Sequence, residues 1–491
     1  MTETTTSTPA ISSTAEATGA GALDARNRLV ITLLLISTFV VILNETIMSV
    51  ALPRLMDDLT ITASTAQWLT TAFMLTMAVV IPITGFLLQR FSTKTIYIAA
   101  MTLFSTGTLI AAVSPGFVLL VVGRVIQASG TAIMIPLLFT TVLTLVPEQS
   151  RGRIMGNISI VISVAPAVGP TISGLILSVL DWRWMFIIVL PIAVATLVLG
   201  AARIPNVSDP RTSPLDILSI VLSAFGFGGL VYGLSNFATA TALVTTISLG
   251  IGVIAIALFI VRQLVLQRTD TALLDLRTFT ARNFTFAIGM ITISMIALFG
   301  TIILIPIYTV RVLGLDELST GLLLLPGGLI MGLLAPFVGR AYDRFGPRIL
   351  VVSGSIIVSA VLWSMTMLSA TTPVWWLLIA HISLSIGLAL LFTPLFTAGL
   401  GAVPPHLYSH GSAVVSTIQQ LAGAAGVALF ITVMTARSLG AAASGAGAVE
   451  AAASGIHSAF IVGAIVSIVA IPLAFFIRKP AAGPHGAPAA H

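Results

Sequence analysis

GFLLQRFSTK, Gly85 to Lys94, returns in the second half of the chain as GRAYDRFGPR, Gly339 to Arg348. Gly, Arg, Phe and a closing basic residue recur at identical spacing, and each copy follows a long apolar stretch. A segment repeated at matched places in two otherwise diverged halves marks a duplicated unit. In each copy a glycine lets helix ends approach closely, and charged side chains stand where helices leave the apolar phase. The repeat predicts two equivalent helical halves whose loops gate one face. The plainer alternative is a pair of positive loops that only orient the chain.

Working outward, stretches of about 20 apolar residues, enough to cross a hydrocarbon core as a helix, recur along the whole chain. They fall near 29–50, 66–88, 95–113, 117–139, 153–179, 184–202, 215–235 and 241–264, then near 284–307, 318–338, 349–368, 373–398, 411–434 and 458–477. The spacing predicts an all-α polytopic membrane protein with fourteen transmembrane helices and both termini on one side. Its divisions are a disordered tail over 1–27, a six-helix bundle over 28–204, two inserted helices with their loops over 205–282, a second six-helix bundle over 283–478 and a tail over 479–491. The Ala/Gly-rich stretch from Ser438 to His457 reads as a flexible hairpin on the side away from the termini.

Charge fixes the orientation. Of 22 Lys and Arg residues, Arg54, Arg183, Arg311 and Arg437 fall on loops of one side and Arg124 falls within a span. The other seventeen fall on the side of the termini, including Arg211 in the loop after the sixth span. Excess positive charge stays cytoplasmic, so both termini are expected inside, in a bacterial cytoplasmic (inner) membrane. With 57% hydrophobic and 8% charged residues the chain could not cover a soluble surface. Topology accounts for the net charge of +6, so no nucleic-acid partner is expected. The absence of cysteine excludes disulfides, thiol catalysis and Cys-based metal sites. The only lysines, Lys94 and Lys479, leave no room for a Gly-x-x-x-x-Gly-Lys phosphate loop, so this chain does not hydrolyse ATP through one. No cofactor, metal or enzymatic activity is expected.

Glu45 is the only carboxylate deep in a predicted span, and Arg124 the only cation. A charge inside a bilayer pairs, faces water or is neutralised, and moving a partner switches proton binding. Glu45 lies roughly 8 Å and Arg124 roughly 10 Å from the outer ends of their predicted spans, so the two are expected to meet. They either couple protons to transport or form a fixed ion pair between the first and fourth spans. His381, at comparable depth, is either a second protonation or substrate site or a hydrogen-bonded packing residue. Trp68, Phe299, Tyr308, Gln419 and Gln420, with Asn44 and Gln127, are candidates to line a cavity for amphipathic or cationic guests. Trp68 and Tyr308 serve equally as interface anchors. Pro166, Gly169, Pro170 and Gly174 crowd one span, as a hinge or a close-packed seam.

These residues resemble the major facilitator superfamily, and within it the fourteen-helix drug:proton antiporters of the EmrB/QacA type, over roughly residues 28 to 478. Leu43-Asn44-Glu45-Thr46 with Val50-Ala51-Leu52-Pro53 is similar to the first-helix motif of that family. Arg124, Gln127 and Gly130 match its Arg-x-x-Gln-x-x-Gly pattern, and Ala165-Pro166-Ala167-Val168-Gly169-Pro170, ending at Gly174, resembles its antiporter motif. Asp181-Trp182-Arg183-Trp184-Met185-Phe186 looks like its loop before the sixth span. The repeated decapeptides resemble its paired gating motif, through Gly85 and Arg90 in the first copy and Gly339, Asp343, Arg344, Gly346 and Arg348 in the second. Gln89 and Ser92 depart from the Asp and Gly of that motif, and Asn44 stands where the first-helix acid is usual. The resemblance implies an alternating-access, proton-coupled exporter of drugs or other small amphipathic compounds, acting as a monomer. On the same fold, export of a lipid or a specific metabolite, or proton-independent facilitation, are the other readings.

Overall fold

Within a bilayer only a helix pairs every backbone N–H and C=O inside its own segment, so the apolar stretches fold as helices. The computed structural model describes residues 25–480 apart from 208–209, 211–213, 238–240 and 370. The tails expected over 1–24 and 481–491, and Arg211, lie outside the described residues. Every extended regular element among the described residues is helical. In chain order they are α1 (Ala25–Leu59), α2 (Ala63–Arg90), α3 (Thr93–Ala112), α4 (Phe117–Leu145), α5 (Arg151–Val179), α6 (Trp184–Arg203), α7 (Ile217–Ser235) and α8 (Ala242–Leu266). The second set is α9 (Arg282–Arg311), α10 (Glu317–Phe345), α11 (Pro347–Met365), α12 (Val374–Gly401), α13 (Tyr408–Ala443) and α14 (Ala448–Ile468), with a short α15 (Ala470–Ala474) completing the last span. Among the described residues, fourteen spans are long and apolar enough to cross a membrane.

Several helices outrun the hydrocarbon ruler. α1 continues through Pro53 to Leu59, and its extension buries Ala51 and Leu55 against Trp182, Met185 and Phe186. The flexible hairpin expected over Ser438–His457 is not there. Instead α13 continues to Ala443 and α14 begins at Ala448, with the turn made at Gly445, φ +92°. Alanine is the best helix former, so an Ala-rich stretch prolongs the helix until a glycine can adopt the left-handed conformation.

α1–α6 form one bundle and α9–α15 the other, and the α7–α8 hairpin packs through α7 onto α2 and α13. The hairpin is closed at its polar end. The Arg262 guanidinium donates from Nε and Nη2 to Asp216 at 2.9 and 2.7 Å, and those bonds hold the Asp216 carboxyl down at about 2. Gln263, fully buried, donates to Ser219 Oγ at 2.7 Å and accepts from the Leu273 and Leu274 amides at 2.8 and 3.2 Å. One side chain thereby satisfies the irregular backbone that leads toward α9, which would otherwise be unpaired and buried.

Candidate functional site

Arg124 and Gln127 are three residues apart on α4, the spacing that puts two side chains on one helix face. Arg124 Nη1 donates to Gln127 Oε1 at 2.7 Å and to Asn44 Oδ1 of α1 at 3.3 Å. Its guanidinium carbon lies 4.0 Å from the centroid of the Phe73 ring on α2, and Gln127 Nε2 donates to Thr108 Oγ1 of α3 at 2.7 Å. Asn44, Arg124, Gln127 and Thr108 are all buried. Helices α1 to α4 therefore converge on one guanidinium, held by amide dipoles and an aromatic face.

Glu45 does not complete this cluster as an ion pair: none of the ion pairs within 4 Å among the described residues includes it. Neighbours in sequence do not share a helix face, so once Asn44 aims at Arg124 the next side chain must turn away. Glu45 is half-buried on the adjacent face of α1, close enough to feel the Arg124 charge. Because α1 runs to Leu59, Glu45 is also deeper along its helix than the predicted span implied, roughly 21 Å from the helix end at 1.5 Å per residue.

The other candidates separate. Phe299 of α9 packs on Gly423 of α13, one turn from the half-buried Gln419 and Gln420, and Gln419 Nε2 is buried without a hydrogen-bond partner. His381 is buried between α12 and α10, with Nε2 at 3.2 Å from the Leu324 carbonyl. Tyr308 is buried in the C-terminal bundle and donates to the Ser369 carbonyl at 2.6 Å. Trp68 is turned to α7, its ring centroid 6.1 Å from that of Tyr232. Thus Phe299, Gln419 and Gln420 share one neighbourhood, whereas His381, Tyr308 and Trp68 each belong to a separate packing contact.

The repeated loops sit where the bundles meet. Asp343 accepts from the Gly152 and Arg153 amides, 2.9 Å each, capping the first turn of α5 with a carboxylate. Gly339 and Gly152 meet backbone to backbone, with no room for a side chain at either. In the first copy Gln89 Nε2 donates to the His406 carbonyl at 2.9 Å, and Gly85 packs on His410 and Ala413. Ser92 replaces glycine for a local reason. Its hydroxyl caps α3 by accepting from the Thr95 amide at 3.3 Å, at φ −65°, whereas Gly346 turns the chain between α10 and α11 at φ +78°. Arg90 ends α2, and Arg344 and Arg348 are exposed beside Phe345 and Phe475. In α5, Gly169 packs on Thr46, while Pro166, Pro170 and Gly174 are exposed in an unbroken helix.

Three further bonds join the halves: Thr140 to Ser412 at 3.2 Å, Thr393 to Ser159 at 2.8 Å and Arg151 Nη2 to Tyr408 Oη at 3.3 Å. All the direct side-chain hydrogen bonds between the two bundles named here lie in the half of the molecule nearer the basic face. At the other end, Gly174 has open space around it. The bundles are bonded to each other at the basic face. Of the residues that build these contacts, sequence patterning missed Phe73, Thr108, Thr140, Ser159, Thr393, His406, Tyr408 and Ser412. Thr108, Ser159 and Thr393 had a legible signal, as polar residues in apolar spans, but that signal is shared by many satisfied threonines and serines.

Two six-helix bundles with a buried polar cluster inside the first define a polytopic membrane transporter. The chain matches the Major Facilitator Superfamily over residues 34–427 and belongs to that family. It is 41% identical over 460 residues to the uncharacterized MFS-type transporter YcnB of Bacillus subtilis, covering 92% of this chain and 96% of that one. It is 41% identical over 455 residues to the lincomycin resistance protein LmrB of Listeria monocytogenes, covering 91% and 95%. The crystal structure of the human organic anion transporter MFSD10 superposes with a TM-score of 0.66 at 13% identity, over 91% of this chain and 99% of that one, and so shares the fold.

Proposed function

We propose that the protein is a proton-coupled exporter of small amphipathic organic compounds, drugs among them, working as a monomer by alternating access in the bacterial cytoplasmic membrane. The observation that carries the reading is a half-buried carboxylate, Glu45, beside a buried guanidinium that it does not touch. An acid fixed in an ion pair has no reason to take up a proton. One next to the pair position can change charge where Arg124 senses it. With the basic face in the cytoplasm, the seal at Gly152–Gly339 and Gln89–His406 closes the inside, and Glu45 is approached from outside.

Protonation of Glu45 removes a charge that Arg124 feels. The Asn44–Arg124–Gln127 cluster, which ties α1 to α4, carries that change into the N-terminal bundle. Substrate meets the same region when the basic face opens, with Phe299, Gln419 and Gln420 offering an aromatic and amide surface from the other bundle. Residues 28–204 and 283–478 are the bundles that rock, and the hairpin between them joins the two. That relatives bear names for lincomycin resistance supports expulsion of an amphipathic drug.

The test is efflux of ethidium, and survival on lincomycin, in cells expressing wild type or Glu45→Gln, with and without an uncoupler. Gradient-dependent efflux lost in Glu45→Gln, with the variant inserted at normal abundance, is the expected result. Efflux that persists in the variant removes Glu45 from the coupling.

A further inference from the structure

Arg344 and Arg348 flank the α10–α11 turn, and Arg478 and Lys479 follow the last span. Together with Phe345, Gly346, Pro347 and Ile477 they line an open cavity of about 360 Å³ at the basic face. No carboxylate lines it, and none of these four cations has an ion-pair partner among the described residues. Elsewhere Arg54, Arg151, Arg262 and Arg277 each find one. The nearest acid, Asp343, is committed to the α5 amides, while Lys479 Nζ donates to its backbone carbonyl at 3.2 Å. Orienting the chain needs positive charge on this side, but not four cations gathered around one hollow.

We propose that this pocket holds the phosphate of an anionic phospholipid headgroup. The apolar surroundings select a lipid over free phosphate. Phe345, Ile349 and Phe475 are 60%, 63% and 47% exposed on the spans that end at the pocket, offering a surface along which acyl chains lie. Convergent arginines supply planar donors suited to phosphate oxygens. A bound headgroup would brace the turn at Gly346 next to Asp343, so lipid charge would bias the seal at α5. The proposal does not depend on what the protein exports.

The experiment is native mass spectrometry of the full chain, equilibrated with equimolar phosphatidylglycerol and phosphatidylcholine of matched chains. Each cation near a membrane surface contributes about five-fold in affinity for an anionic lipid. Wild type is expected to retain phosphatidylglycerol preferentially, and Arg348→Gln/Arg478→Gln to lose about 25-fold of that preference. Both side chains are exposed. Should the double variant not fold, Arg478→Gln alone is expected to lose about five-fold. A wild type without preference, or variants that keep it, would overturn the proposal. Thermal stabilisation by inorganic phosphate equal to that by phosphatidylglycerol would assign the pocket to a free anion, and also overturn it.

Discussion

At the scale of single residues, the cluster around Arg124 shows what a charge costs inside a membrane and how it is met. A guanidinium has five donors, and here one of its nitrogens reaches two amide oxygens while its carbon lies over Phe73. Gln127 is the key acceptor because its own amide is anchored on Thr108. Replacing Gln127 by Leu would leave a buried charged donor without its shortest bond, worth about 1.5–3 kcal/mol for a hydrogen bond to a charged group. Thermal unfolding in detergent should show Gln127→Leu destabilised to that extent, with Thr108→Val costing less because it removes only a neutral bond. Much of this site was legible: the Arg-x-x-Gln spacing places both side chains on one face, and Asn44 lies on the helix that meets it. The angular choice between Asn44 and Glu45 was not legible. Depth along a helix can be counted from a sequence, but rotation about its axis is set by packing against neighbours. The same gap misdirects Trp68 and Tyr308, whose sequence positions fit a cavity wall as well as the contacts with Tyr232 and Ser369 that they make.

At the scale of elements, the inserted hairpin is tied to the rest by polar bonds that its apolar sequence hardly advertises. Asp216 caps α7 and binds Arg262 of α8, and its carboxyl is depressed from the usual 3.8 to about 2. A depressed carboxyl stabilises the fold at any pH above its unfolded value, and that contribution fades as pH falls through the folded one. The melting-temperature gap between wild type and Asp216→Asn should be flat from pH ~7 to ~5 and shrink below pH ~4. A gap that shrinks already at pH ~6 would mean that another group carries the effect. Gln263→Leu is the sharper change, since it strands the Leu273 and Leu274 amides in the core, at about 1–3 kcal/mol for each buried group left unsatisfied. Helix count and order were legible because hydrophobic length measures the bilayer. Helix ends were not, as α13 shows: Ala441 to Ala443 are helical well past the apolar stretch, for intrinsic propensity continues a helix where hydropathy has already stopped.

At the scale of the whole molecule, the two copies of the duplicated loop make the same closure by opposite chemistry. Asp343 accepts from the amides that open α5, and Gln89 donates to the carbonyl that precedes α13. Neither contact is an ion pair between side chains, and each forms only while the bundles are together at the basic face. With Thr140–Ser412, Thr393–Ser159 and Arg151–Tyr408 they are a small set of bonds, each worth about 0.5–1.5 kcal/mol net. A closure of that size can be populated and still be overturned by a protonation or a bound substrate, because states a few kcal/mol apart exchange with ligand. The prediction follows from the geometry and uses the absence of native cysteine. Gln89→Cys with His406→Cys, joined by a short thiol-cleavable crosslinker, should react readily in membranes and hold the basic face shut. Efflux should stop on crosslinking and return after reduction, while either single variant keeps efflux through the same treatment. If the joined protein still transported, the bundles would not need to part between α2 and α13, and the path would have to lie elsewhere.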